Sequence, residues 1–223
     1  MKKSGKLKKK LDLRRIRDHF RVAIYGSARI KKGDPRYKLI HTLSKMIAKE
    51  NLDIVTGGGT GLMDAANRGH HAGRSKKSHS LSFGLTIHLP KEQRKSYHLD
   101  IEREFHKFSS RLDHFILLSN VVVVAPGGVG TLLELMYTWQ LVQVKQVCNI
   151  PIILLGDTWD GFIEWIKSVP LRNKFLDKKE LAMLFPAKNA TEAMEIINAA
   201  HKEYKKNKKN VCLNIKRYNI HGR

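Results

Sequence analysis

A carboxylate just beyond a glycine-rich turn is well placed to act on a phosphorylated ligand that the turn holds. Residues Pro126-Gly127-Gly128-Val129-Gly130-Thr131 make such a turn, and Glu134 follows it. Glycines let the backbone approach a phosphate, and free N–H groups at a helix start favour an anion. Thr56-Gly57-Gly58-Gly59-Thr60-Gly61 is a second turn of this kind, and Gly26-Ser27-Ala28 is a plainer, earlier one. Arg111 lies among apolar Phe108, Leu112, Phe115 and Ile116, where a guanidinium needs an anionic partner. Each residue also has a plainer explanation. Thr131-x-x-Glu134 fits a capping box, with Glu134 in the first helical turn satisfying the Thr131 N–H. Arg111 fits a surface ion pair with Asp113 or a neighbour.

The patterns that are absent narrow the chemistry. Neither glycine turn is followed by Gly-Lys-Ser/Thr, so neither is a Walker loop. The first strand is followed by Gly26-Ser27-Ala28-Arg29 rather than by GxGxxG, which argues against an NAD enzyme. No GxSxG elbow occurs. Of the eleven histidines, only His70 and His71 are adjacent, and no carboxylate joins them at ligand spacing, so no catalytic metal is expected.

Strands and helices must place these turns. Residues 121–125, four valines and an alanine, read as a strand buried on both faces. A helix follows, with Leu132, Leu133, Leu135, Met136 and Trp139 apolar. Residues 22–25 and 53–55 are shorter strands, each running into its own turn. Between them, Asp34-Pro35 opens a helix carrying Leu39, Ile40, Leu43, Met46 and Ile47. Further strands are expected at 80–89 and 151–155. Residues 91–107 are polar and mixed, with no element assigned. Helices are expected at 108–118, at 160–166 (with Trp159, Phe162, Trp165 and Ile166 mostly as core), and at 191–200, capped by Thr191-Glu192. Residues 11–20 read as a short lead-in helix. The alternation predicts an α/β fold: a Rossmann-like, doubly wound parallel sheet flanked by helices, in a single domain.

The chain has 223 residues and a net charge of +22. Residues 1–21 contribute +8 and residues 200–223 contribute +7, so the intervening part is only moderately basic. This divides the chain into a basic extension at 1–20, a domain at 21–200 and a basic tail at 201–223. Basic ends can attract nucleic acid, but these lack the interleaved aromatics of a stacking platform. Cys148 and Cys212 are far apart and in no paired motif, which argues against a disulfide framework and for a reducing compartment. No apolar leader and no run of about 18 apolar residues is present, so a cytoplasmic protein without a membrane span is expected.

Taken together, these motifs resemble the LOG (Lonely Guy) family, long labelled possible lysine decarboxylases. The family signature PGGxGTxxE is complete as Pro126, Gly127, Gly128, Gly130, Thr131 and Glu134. Gly57-Gly58-Gly59-Thr60-Gly61-Leu62-Met63 is similar to the family's earlier glycine loop, and Tyr25-Gly26-Ser27 to its opening turn. Leu89-Pro90-Lys91-Glu92-Gln93 is similar to the LPxEQ stretch of one branch, and Phe108-Ser109-Ser110-Arg111 to its FxxRK helix. The resemblance covers about residues 21–200. It departs at Leu112, where the family usually has lysine, and at Phe108-Ser109, where cytokinin-type members often have Met-His.

The resemblance implies a Rossmann-like homodimer with sites near the interface. It also implies hydrolysis of a nucleoside 5′-monophosphate, such as a cytokinin riboside monophosphate or AMP, to free base and ribose 5-phosphate, with no cofactor. Arg111 and Glu134 take the positions of the catalytic pair. Gly26, Ser27, Gly57, Gly58, Gly59, Thr60, Gly61, Glu92, Gly127, Gly128, Val129, Gly130 and Thr131 take those of substrate and phosphate binding. A carboxylate suits this chemistry, because breaking an N-glycosidic bond builds positive charge on the sugar. Two alternatives stay open: a protein that binds a nucleotide or cofactor without hydrolysing it, and a nucleic-acid-associated protein using its basic ends.

Overall fold

Valine- and isoleucine-rich runs with no polar face need cover on both sides, and this chain supplies it. The computed structural model describes residues 19–88, 96 and 98–206. Its strands are β1 (Arg21–Tyr25), β2 (Asp53–Thr56), β3 (Ser82–Ile87), β4 (Ile101–Phe105), β5 (Val121–Val124), β6 (Ile152–Leu155) and β7 (Leu184–Ala187). The helices among the described residues are α1 (Pro35–Lys49), α2 (Leu62–Gly73), α3 (Phe108–Leu118), α4 (Val129–Gln143), α5 (Asp160–Ile166), α6 (Lys178–Leu181) and α7 (Ala190–Lys206). All strand pairs are parallel, in the order β4-β3-β2-β1-β5-β6-β7.

Alternate residues of each central strand feed two cores. Val121 and Val123 of β5 join Val22, Ile24, Ile54 and Ile153 under α1, α2 and α7. Val122 and Val124 join Ala23, Tyr25 and Leu154 under α3, α4 and α5, where Phe115, Leu135, Trp139 and Ile166 close the layer. The chain builds outward from β1 to β4 and then crosses back to β5 on the other side of β1. The loops after β1 and β5 therefore part in opposite directions and leave a crevice, the usual ligand position in such sheets. Tyr25 pairs with Val124, so both strands deliver their turns at one level.

Some elements differ from expectation. Residues 91–107 contain β4, in which Phe105 alone is buried; as an edge strand it lacks the apolar run that marks an inner one. β7 was also unmarked by sequence: Leu-Phe-Pro-Ala tolerates its proline only at an edge. Of the expected lead-in helix, only His19 and Phe20 are described, and neither is helical; the rest lies outside the described residues. Trp165 is half exposed rather than core, because seven-residue α5 turns Ile166 inward and Trp165 outward. The last helix begins at Ala190 and is capped by Asn189. The Asn189 Oδ1 accepts from the Thr191 and Glu192 N–H groups, each at 3.0 Å. Cys148 is disulfide-bonded, against expectation.

Candidate functional site

Three strand-end turns meet at the crevice and are tied to one another. The Ser27 N–H donates to the Pro126 carbonyl at 3.1 Å, and the Leu62 N–H to the Ser27 carbonyl at 2.8 Å. The Thr60 hydroxyl donates to the Ala28 carbonyl at 2.9 Å. The Gly58 N–H donates to the Thr56 hydroxyl at 3.1 Å. Gly61 has φ +68°, and a Cβ there would run into the Ser27 carbonyl oxygen. The approach of the first two turns thus depends on glycine at 61. Gly26 packs against Leu62 and Ala125, and Gly59 against Met63. Gly127 lies against Thr131, which is buried. At the start of α4, Gly128 and Gly130 border open space and Val129 is 84% exposed. An anion could reach the helix N-terminus there.

Beside these turns lies a buried pair of opposite charges. Arg111, on α3, donates from Nη1 to Glu134 Oε1 at 3.0 Å and from Nε to the Leu85 carbonyl at 2.7 Å. Its guanidinium lies 5.0 Å from the centre of the Phe115 ring. A Cβ on Gly57 would lie only 2.5 Å from Arg111 Nη2, so the missing side chain lets the cation rest against the second glycine turn. Arg111 and Glu134 are each only 8% exposed. Burial pushes the Glu134 carboxyl above its usual range, and the charge and hydrogen bond of Arg111 offset that only in part.

The plainer explanations of these two residues are overturned. α4 begins at Val129 with Gly128 as its cap, so Glu134 falls in the second turn and faces Arg111 instead of closing a capping box. Asp113 accepts from the Tyr137 hydroxyl, and Arg111 pairs with Glu134 instead. Sequence also missed some neighbours. The Tyr25 hydroxyl lies 3.1 Å from the Thr138 hydroxyl, which donates to the Glu134 carbonyl at 2.7 Å. Burial keeps the Tyr25 phenol protonated by raising its pKa, so it donates in this chain. Tyr25's place at the end of β1, and Thr138's place one turn after Glu134, were the available signals. The Leu85 carbonyl had none.

Glu92 lies outside the described residues. Near it in sequence, the Ser96 N–H donates to the Gly58 carbonyl at 2.9 Å, and its hydroxyl donates to Asp64 at 3.1 Å. Asp64 also accepts from Tyr37 at 2.9 Å and Arg68 at 2.7 Å. Burial alone would raise its pKa, but these donors hold it below the ordinary value. Among the described residues, no group of three His, Cys, Asp or Glu stands where it could hold a metal.

A doubly wound parallel sheet with an arginine–glutamate pair walled in by its switch-point turns defines a Rossmann-like protein with a crevice at the usual ligand position. The chain belongs to the family described as possible lysine decarboxylase, whose model matches residues 63–197, and this is the LOG family its motifs resemble. That span includes both Arg111 and Glu134. No curated protein matches the chain. Solved structures share the fold. The molybdenum cofactor binding protein of Rippkaea orientalis is 23% identical, with 81% of this chain and 96% of that one covered, at a TM-score of 0.57. The molybdenum cofactor carrier protein of Chlamydomonas reinhardtii is 20% identical, with 82% and 99% covered, at 0.59. The structural-genomics target TM1055 is 23% identical, with 81% and 99% covered, at 0.60.

Proposed function

We propose that the chain hydrolyses the N-glycosidic bond of a nucleoside 5′-monophosphate, releasing free base and ribose 5-phosphate. The observation that carries this is the buried Arg111–Glu134 pair beside an open helix N-terminus. The 5′-phosphate would sit at Gly128–Gly130 of α4, where backbone N–H groups face it. Glu134 Oε1 is held by Arg111, which leaves Oε2 to take a proton from water. The water oxygen bonds to C1′ of the ribose, the C1′–N bond breaks, and the proton that Glu134 took passes to the base nitrogen, which restores the carboxylate. The carboxylate also offsets the positive charge growing on the sugar. Its raised pKa makes it a better base than an ordinary glutamate. Arg111 fixes the carboxylate and presents charge to the phosphate or the departing base. A cytokinin riboside monophosphate and AMP are the substrates to try first, and the cytoplasm is where such nucleotides occur.

The test is a panel of nucleoside 5′-monophosphates, including isopentenyladenosine monophosphate, with base release followed by chromatography. Glu134→Gln keeps the acceptor for Arg111 and should lower kcat about a thousandfold with the fold intact. Full activity in that variant would end the proposal. A second possibility is a protein that holds a nucleotide or cofactor without hydrolysing it, and Leu112 favours it. This residue is 6% exposed and packed into the core, so no cation stands beside Arg111 there. Silence across the panel, with a nucleotide still raising Tm, would select binding over hydrolysis.

We also infer a homodimer. Val129, Leu132, Leu133 and Met136 recur at helical spacing on the outer face of α4 and are 37–84% exposed, with Phe108 half exposed on α3. Such a stripe beside the site suits a second copy. Light scattering should give twice 25.5 kDa, and Leu133→Glu should give the single chain mass.

A further inference from the structure

The basic ends lack interleaved aromatics, but exposed aromatics and cations alternate elsewhere, at the end of α5 and in the connection that follows it. After α5, the chain forms a widened π-type turn over Lys167–Leu171 with Pro170 inside it. The turn closes on itself: the Asn173 N–H donates to the Val169 carbonyl at 3.0 Å, and the Phe175 N–H to the Pro170 carbonyl at 2.9 Å. Lys174 takes a left-handed φ of 61°, which throws Phe175 outward to 80% exposure. Trp165 is 50% exposed and leans on Phe162, with ring centres 6.3 Å apart and planes 32° apart. Phe162 in turn packs edge-on against buried Trp159 at 5.8 Å. Trp165 is therefore the outer end of an aromatic file rooted in the core, and its free side faces solvent.

Cations alternate with the two rings along the chain. Arg172 and Lys174 lie between them in the chain, and Lys178 and Lys179 follow on α6; all four are exposed and make no ion pair among the described residues. Lys167 is already paired with Glu164. We propose that this hook is a binding platform for single-stranded nucleic acid, with bases stacked on Trp165 and Phe175 and phosphates drawn to the four free cations. Rigid aromatic faces interleaved with positive charge suit a ligand in which every unit offers a π-face and an anion. A membrane suits the hook less well. Val169 is the sole exposed aliphatic with the rings, and polar Ser168 and Asn173 interrupt the apolar surface. The hook lies in the connection from β6 to edge strand β7, not in the turns after β1, β2 and β5 that form the crevice. The proposal does not depend on the hydrolase reading.

The test uses the full chain, because the basic ends also attract nucleic acid. Fluorescence is read while an oligothymidylate is added. Trp139 and Trp159 are 6% and 4% exposed, so quenching reports chiefly Trp165. We expect quenching, and about a tenfold loss of affinity for each of Trp165→Ala and Phe175→Ala, measured by anisotropy of a labelled strand. Neither substitution removes a charge, so the salt slope should be unchanged in both, whereas Arg172→Gln with Lys174→Gln should flatten it. Both aromatic sites are exposed, so Tm should hold. Wild-type affinity in the double aromatic variant would overturn the platform and leave attraction by the ends. Absence of binding would also overturn it. A blue shift on anionic vesicles, without quenching by the oligonucleotide, would assign the hook to lipid instead.

Discussion

Arg111 is worth more to the fold than one hydrogen bond, because Glu134 is largely buried and is paired with this guanidinium. Replacing it with methionine keeps most of its bulk against Phe115 but leaves a buried carboxylate without a cation. Removing one partner of a buried pair typically costs about 3 kcal/mol or more. The Glu134 carboxyl is already raised by burial, and without Arg111 it must rise further. A carboxyl whose folded pKa lies above its unfolded value favours folding at low pH, and that contribution is lost as pH rises through the folded pKa. Urea unfolding of Arg111→Met should therefore show its largest deficit at neutral pH and recover towards acid. A deficit independent of pH would mean that Glu134 finds water or another cation. Sequence supplied the identity of both residues, since arginine on an apolar helix face demands an anion. It did not supply their pairing, because 23 residues and a strand separate them.

Elements divide by how much of their environment is written into their own residues. α3 was legible to the residue and β5 to within one, because a clear apolar face and an all-valine run leave few options. β4 and β7 were not, since an edge strand is specified by its one neighbour rather than by its own pattern. The start of α4 was misplaced by three residues, because glycines at 128 and 130 carry no helix signal while Thr131 resembles a cap. The glycine turns make a test at this scale. Gly61→Ala must adopt a positive φ and press on the Ser27 carbonyl, so it should cost about 2 kcal/mol or more and lower Tm. Gly130 is helical with open space around it, so Gly130→Ala should leave the fold unharmed or raise its stability by about 0.5 kcal/mol. Its methyl group would face the crevice mouth, so nucleotide affinity should fall while Tm does not. Equal losses of stability in both variants would remove the distinction between a turn that builds the fold and one that serves the ligand.

At the scale of the whole molecule, one histidine links layers far from the crevice. His70 on α2 is fully buried, with Nε2 2.9 Å from the Leu52 carbonyl just before β2. Its Nδ1 accepts from Arg74, which also pairs with Asp100; Asp100 in turn accepts from the Ser82 N–H of β3 at 2.7 Å. The ring therefore carries its proton on Nε2, and a second proton on Nδ1 would face a guanidinium. Burial, opposed by the Leu52 hydrogen bond and reinforced by Arg74, lowers its pKa from 6.5 to about 4. The unfolded chain then takes up this proton before the folded one does. Stability from neutral His70 is complete above pH 6.5 and drains away as pH falls towards about 4, for a total of about 3 kcal/mol. Asp53 and Glu134, both raised by burial, act with the opposite sign and blunt the slope without sharing its cause. Substitution separates the contributions. His70→Gln keeps a donor for Leu52 but cannot titrate, so it should be less stable at neutral pH yet lose less on acidification. Across that window its unfolding free energy should change by up to about 1.4 kcal/mol per pH unit less than that of wild type. Parallel slopes for the two proteins would mean that His70 takes its proton without unfolding, with Arg74 swinging away to Asp100. The link between α2 and the sheet would then be a hinge rather than a lock.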